Sequence, residues 1–269
     1  MPEGFLILIL IGAIAGVLSG MFGIGGGAII VPALILFLDF TQKAATGTSL
    51  GALLLPVGIF ACIEYYRQDK LKILPAAMVA LGLTVMSWVG ATLAISLPDD
   101  QLQTGYGVLL IVMAWRYIAP RKWAKELRGE AVPAPPERDV DYRSPRVLGL
   151  ALGVGLIAGV ASGLFGIGGG VVIVPALMII GGFDQKLATG TSLGALLLPV
   201  GLPAVWAFAQ PTAEAPAGYV SIATAAPIAI MLMLGAIIGA RITLGLPTKT
   251  VKRLYGFFLL FVGLRFLLG

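Results

Sequence analysis

Apolar positions along this chain gather into runs at about 4–20, 27–38, 44–63, 72–96 and 101–119, and again at 147–163, 170–182, 187–209, 219–246 and 250–268. A helix needs about 20 apolar residues to cross the hydrocarbon core of a membrane, so most of these runs are predicted spans. Those at 27–38 and 170–182 are too short for a full crossing and predict half-helices. Between the two sets lies PRKWAKELRGEAVPAPPERDVDYRSPR, residues 120–146, which is charged, Pro-rich and without an apolar period. It reads as a solvated linker. The predicted organisation is a first repeat at 1–119, a cytoplasmic linker at 120–146 and a second repeat at 147–269.

The two halves repeat each other. Residues 16–58 and 159–201 align without a gap at an offset of 143, the separation of Gly16 and Gly159, and most aligned positions are identical. SGMFGIGGG, VPAL and QKAATGTSLGALLLPVG in the first copy are answered by SGLFGIGGG, VPAL and QKLATGTSLGALLLPVG in the second. A second alignment, at the offset of 149 that separates Gly90 from Gly239, carries the repeat to Arg116 and Arg265. Duplicated, Gly-interrupted hydrophobic segments point to a transporter whose substrate sits where two repeats meet.

The basic residues predict orientation. Arg67, Lys70 and Lys72, the linker, and Lys249, Lys252 and Arg253 mark cytoplasmic stretches, whereas 97–101 and 210–218 carry no Lys or Arg. The loop after the first TGTSL segment is thus basic and its equivalent is not, so the copies are expected to point in opposite directions. Inversion needs an odd number of crossings per repeat, so residues 4–38 either cross twice, as two short helices, or form a re-entrant hairpin. The fold class predicted is an all-α polytopic membrane protein with two inverted-topology repeats, each with a Gly-broken or re-entrant first segment.

Composition agrees with the membrane. Hydrophobic residues make up 58% and charged residues 12%, against about 25% charged in soluble domains, and the mean hydropathy is +0.99. The net charge of +5 lies in short loops rather than along one helix face, which speaks for topology and against nucleic acid as a partner. There is no His and a single cysteine, Cys62, which excludes internal disulfides and Cys/His metal sites. Neither a metal nor a cofactor is expected. The first run lacks a basic leading region and ends inside the repeat, so it is read as part of the mature chain.

The candidate chemistry is in the glycines. Gly23, Gly25, Gly26 and Gly27 allow positive φ and close approach of a ligand to the backbone. The half-helix expected from about Ala28 then presents amides with no intrahelical acceptor and about half a positive charge. In hydrocarbon such amides must face protein or a polar cavity, and an anion satisfies both needs. The TGTSL hydroxyls would complete a neutral cage. The substrate-binding set is Phe22, Gly25, Gly26, Gly27, Thr48 and Ser49, with Phe165, Gly168, Gly169, Gly170, Thr191 and Ser192 from the second copy. Secondary contacts are Lys43, Lys186 and Arg241. The competing reading is that the glycines serve helix packing, the hydroxyls bond a neighbouring turn, the lysines are solvated and Arg241 snorkels to the interface. A dinucleotide fingerprint fails because Ala28 stands where its third glycine belongs.

The paired SGxFGIGGGxxxVPAL and TGTSL motifs, GAR at 239–241 and the chain length resemble the TauE/SafE family of sulfite and organosulfonate exporters, and the resemblance covers the whole chain. It implies a multi-pass protein of the bacterial inner membrane that exports small sulfur-containing anions such as sulfite or sulfoacetate. Its partners would be the anionic substrate and the lipid bilayer, with a homodimer as an open assembly state. Thr92 stands where the second copy has Arg241, so any role of that arginine is not symmetric. No paired carboxylates or activated nucleophile supports an enzyme. The alternatives are a carrier of another small anion (carboxylate, sulfate or thiosulfate) or a non-transporting scaffold.

Overall fold

The computed structural model describes residues 2–120, 128, 141–179, 181–245 and 248–268. Among the described residues the regular structure is helical throughout: α1 (Pro2–Phe22), α2 (Gly27–Leu38), α3 (Gln42–Ala52), α4 (Ile59–Arg67), α5 (Ile73–Ser96), α6 (Asp99–Ile118), α7 (Pro145–Phe165), α8 (Gly170–Ile179), α9 (Gln185–Ala195), α10 (Leu202–Ala209), α11 (Ile222–Gly245) and α12 (Thr248–Leu268). Helices α1, α5, α7 and α11 are long and apolar enough to cross a membrane. The linker beyond residue 120 lies outside the described residues, apart from Arg128 and its C-terminal end from Asp141.

The short runs fold as expected, into α2 and α8. The runs at 44–63 and 187–209 do not stay whole. Each divides into two helices, α3 and α4, and α9 and α10, separated by residues 53–58 and 196–201. Pro56 and Pro199 are the cause: proline has no N–H, and its ring collides with the carbonyl four residues back. In both copies that residue, Ala52 or Ala195, is the last of the helix. The upstream helices α3 and α9 start with side-chain caps, Thr41 Oγ1 accepting from Ala44 N at 3.3 Å and Asp184 Oδ1 from Leu187 N at 3.0 Å, whereas α4 and α10 start after Gly58 and Gly201 without one.

The chain separates into two compact units, one of Met1–Asp99 with Asp141–Gly245 and one of Asp100–Val140 with Leu246–Gly269. The second is organised around α6 and α12. They run antiparallel, Gly107 against Gly263 and Ile118 against Gly256, and the Tyr106 and Phe266 rings meet at 5.6 Å.

The first unit is held by two interlocked helix pairs, each taking one helix from each half of the sequence. Gly12, Gly16 and Gly20 of α1 face Ile228, Leu232 and Ala236 of α11, and Gly155, Gly159 and Gly163 of α7 face Val79, Leu83 and Ser87 of α5. The registers rise together, so both pairs are parallel. The backbones approach so closely that a methyl group at Gly20 would overlap the Ala236 carbonyl, and one at Gly163 the Ser87 carbonyl. Without a hydrophobic drive between helices in lipid, such small-residue contacts are what hold spans together.

Candidate functional site

Where α1 ends and α2 begins, Gly23, Gly25 and Gly26 take φ of 69°, 79° and 87°, and Gly166, Gly168 and Gly169 take 69°, 72° and 81° between α7 and α8. A side chain is strained in that region of backbone space, which explains why both copies spell it with glycine. The two loops lie against each other: a Cβ on Gly27 would overlap the Gly166 carbonyl, and one on Gly170 the Gly23 carbonyl. Gly25 and Gly168 face one another, a Cβ on the first lying 3.7 Å from the Cα of the second.

A cavity of about 20 Å³ sits at this meeting point, lined by Ser19, Gly25, Leu50, Leu53, Val57 and Gly58, and by Ser162, Gly168, Leu193, Leu196, Val200 and Gly201. Each residue of the first set is matched by the one 143 positions later. No charged side chain lines it. Its polar groups are the two serines and the glycine backbone. Ser162 is 1% exposed, and its Oγ has no hydrogen-bond partner among the described residues. Near it, Gly26 O accepts from Ile29 N and Ile30 N, and Gly169 O from Val172 N and Ile173 N. The amides just before these, of Gly25, Gly26, Gly27 and Ala28 and of Gly168, Gly169, Gly170 and Val171, find no acceptor among the described residues. Buried amides are rarely left so. The cavity therefore lies where the N-terminal ends of the half-helices α2 and α8 meet the last turns of α1 and α7.

The TGTSL hydroxyls are buried beside these loops but already engaged. Ser49 Oγ donates to Gly166 O at 2.8 Å, and Ser192 Oγ to Gly23 O at 2.8 Å. Thr48 Oγ1 accepts from Ser221 N at 3.1 Å, and Thr191 Oγ1 from Lys72 N at 3.2 Å. The structure thus brings Gly25 and Gly168 to the cavity, with Gly26, Gly27, Gly169 and Gly170 behind them. It makes Thr48, Ser49, Thr191 and Ser192 struts between the copies. Phe22 is buried and its carbonyl lies 3.5 Å from Thr189 Oγ1; Phe165, like Phe22, is absent from the cavity lining. Ser19 and Ser162 were not singled out from the sequence, although both occupy the same place in the repeated SGxFGIGGG motif.

The secondary cations do not line the cavity either. Lys43 Nζ is 3.1 Å from Glu214 Oε2, and this contact, with the Tyr219 hydroxyl at 3.0 Å, holds the Glu214 carboxyl below its usual range. Lys186 Nζ donates to Leu244 O at 3.2 Å, and Arg241 Nε to Glu64 Oε1 at 3.2 Å.

These contacts also order the ends of the unit. Lys70 reaches Asp184 at 3.1 Å, close to Lys186 and so to the C-terminal end of α11. The loop at 210–221, with Glu214 on Lys43 and Tyr219 and Ser221 on Thr48, leads into the N-terminal end of the same helix. Its 24 residues span about 36 Å. The two equivalent loops therefore lie at opposite ends of α11. Because α1 starts at the end where α11 starts and Lys43 lies there too, α1 and α2 go in and come back. The first segment is one full-length helix with one short return, not two short helices.

The family model described as Sulfite exporter TauE/SafE matches residues 8–266. The chain belongs to the sulfite exporter TauE/SafE family. It is similar to the probable membrane transporter protein YunE of Bacillus subtilis, 25% identical over 96% of each chain. A probable membrane transporter protein of Methanocaldococcus jannaschii is 30% identical over 97% of this chain and 95% of its own. One of Haemophilus influenzae is 28% identical over 98% of both. No solved structure matches. These relatives are named as probable membrane transporters and not as enzymes, and this chain, with four helices among the described residues long and apolar enough to cross a membrane, is a membrane protein of their family.

Proposed function

We propose that this protein exports small sulfur-containing anions, sulfite or organosulfonates such as sulfoacetate, across the bacterial inner membrane, by alternately opening the central cavity to either side. The observation that carries the reading is the reciprocal cavity: a neutral chamber at the N-terminal ends of two half-helices, with unmatched amides and the free Ser162 hydroxyl. Anions bind helix N-termini through such amides.

The placement of equivalent loops at opposite ends of α11 supports two inverted-topology repeats, because a two-fold axis through the cavity would exchange the ends. At about 20 Å³ the cavity has room for about one water, so the structure corresponds to a closed form. Leu53 packs on Gly168 and Leu196 on Gly25, where added Cβ atoms would be 2.8 and 3.2 Å from their Cδ1 atoms. Admission of a sulfur oxyanion requires these leucines to swing aside, one for each copy. Efflux of sulfite and sulfoacetate from proteoliposomes, with carboxylates, sulfate and thiosulfate as competitors, tests the proposal. Saturable sulfite or sulfonate efflux lost in Gly168→Val is the expected result, and efflux equal to that of empty liposomes would overturn it.

A further inference from the structure

The loop at 210–221 carries one carboxylate, and two buried donors hold it. Glu214 is exposed, its side chain 73% open to solvent, yet its Oε2 reaches in to Lys43 Nζ at 3.1 Å and accepts from the Tyr219 hydroxyl at 3.0 Å. The Lys43 side chain is only 7% exposed and Tyr219 8%, and the ammonium also lies 5.9 Å from the centre of the Tyr219 ring. A buried ammonium is costly unless an anion accompanies it. Asp39, at the end of α2, is exposed and is not that anion among the described residues. The donors are fixed and the carboxylate is the member able to leave. The loop holds itself together through Thr212 N to Ala215 O at 3.0 Å and Tyr219 N to Phe208 O at 2.7 Å, so Glu214 departs by turning its own side chain.

We infer, building on the transport reading above, that Lys43 and the Tyr219 hydroxyl form a second anion station, at the exit mouth, and that Glu214 is its tethered occupant: a sulfonate or carboxylate group of the exported anion takes its place there and is expelled when Glu214 returns. The station lies on the way out. Lys43 and the cavity-lining Leu50 share one face of α3, two turns and about 10 Å apart. Between them the loop is laid over Gly47, where an added Cβ would be 2.9 Å from the Tyr219 carbonyl. The other mouth is built in reverse. There the acid, Asp184, caps the helix and the base, Lys70, belongs to the loop. Lys186, the counterpart of Lys43, donates to the Leu244 carbonyl, and Leu71 stands where an equivalent of Glu214 belongs. A tethered acid on a buried cation thus exists at one mouth only. Because a tethered competitor acts at high effective concentration, it releases a departing anion that the buried ammonium would otherwise retain.

Methanesulfonate and its uncharged analogue dimethyl sulfone probe the station in the purified full chain in detergent, by calorimetry and thermal unfolding. The cavity is common to all variants, so differences between them report the station. Glu214→Gln should bind methanesulfonate about tenfold tighter than the unaltered chain, as for a site whose free fraction rises from about a tenth to one, and methanesulfonate should restore the Tm that the substitution lowers. Dimethyl sulfone should do neither. Adding Lys43→Gln should abolish the gain; adding Tyr219→Phe, which removes one hydroxyl and spares the buried ammonium, should reduce it. Methanesulfonate binding no tighter in Glu214→Gln than in the unaltered chain, or a gain that survives both added substitutions, would overturn the station. Efflux from proteoliposomes judges the transport reading apart. Saturable efflux without the gain leaves the carrier and removes the station, whereas the gain without efflux leaves an anion site and overturns its role in export.

Discussion

Ser49→Ala and Ser162→Ala remove the same hydroxyl from two places in the same unit and should act in opposite ways. Ser49 Oγ is a strut, 2.8 Å from the Gly166 carbonyl of the other copy, and both groups are buried. Deleting it leaves that carbonyl unsatisfied, at a cost of about 1–3 kcal/mol of stability. For a domain of this size each kcal/mol lowers Tm by about 2–4 °C. Ser162 Oγ satisfies nothing. Its removal lifts a desolvation penalty of about 1–3 kcal/mol, so Tm should hold or rise, while an anion loses a donor worth about 1.5–3 kcal/mol, a roughly tenfold to hundredfold weaker Kd. Thermal unfolding of the purified protein with and without ligand reads both quantities at once. In Ser162→Ala the ligand-induced rise in Tm should shrink, and in Ser49→Ala the baseline should fall with the rise largely kept. A Ser162→Ala protein that is destabilised like Ser49→Ala, with ligand affinity untouched, would show that Ser162 is a second strut and refute the reasoning.

Gly26→Val and Gly169→Val should abolish transport, because β-branched side chains are strained at φ of 87° and 81° and would press on Leu232 and Leu83, whose Cδ1 atoms would lie 2.6 Å from an added Cβ; intact transport by either would count against the loop geometry. Single cysteines placed at 68–72 and 210–218 on a Cys62→Ala background should label from opposite sides of the membrane, and labelling from one side would defeat the inverted arrangement. Efflux of a permanently ionised monosulfonate should quicken when the cytoplasmic side is negative, by up to ~2.3 kcal/mol per charge per 100 mV, while a pH gradient alone does little; a strict need for that gradient would direct attention to Glu64. The Glu214 carboxyl is held low by Lys43 and Tyr219, so the stabilisation it gives is full above its unfolded-state titration and fades as pH falls through its lower folded value. Glu214→Gln should accordingly lower Tm at neutral pH and make less difference in strong acid, and an equal effect at both would contradict the assignment.

The long helices and the two short ones were legible because apolar run length acts locally. The breaks at Pro56 and Pro199 were not, since these prolines end a helix whereas Pro32 and Pro175 stay inside α2 and α8. The glycine loops were legible because positive φ leaves a mark on the sequence twice over. The roles of the hydroxyls were not. Thr48 and Thr191 meet partners 173 and 119 residues away, and no local pattern says that those amides arrive. Ser19 and Ser162 look like any serine in an apolar helix, which ordinarily bonds to the preceding turn. Only packing reveals that Ser162 has no partner. The close contacts of the α1 and α7 glycines were not legible either, since any small-residue face could have answered them.

The cross-paired helices set a timetable for biogenesis. Gly20 of α1 meets Ala236 of α11, so the first span to leave the ribosome must wait for a partner that lies some two hundred residues downstream. At roughly 5–20 residues per second this is a delay on the order of ten to forty seconds, during which the glycine face of α1 has only lipid or an insertion chaperone to lie against. The pair of α5 and α7 closes sooner, its members being separated by the linker and α6. Assembly in the membrane is thus ordered from the middle of the chain outward, and a nascent protein truncated before residue 222 would expose the face of α1 that the finished protein buries.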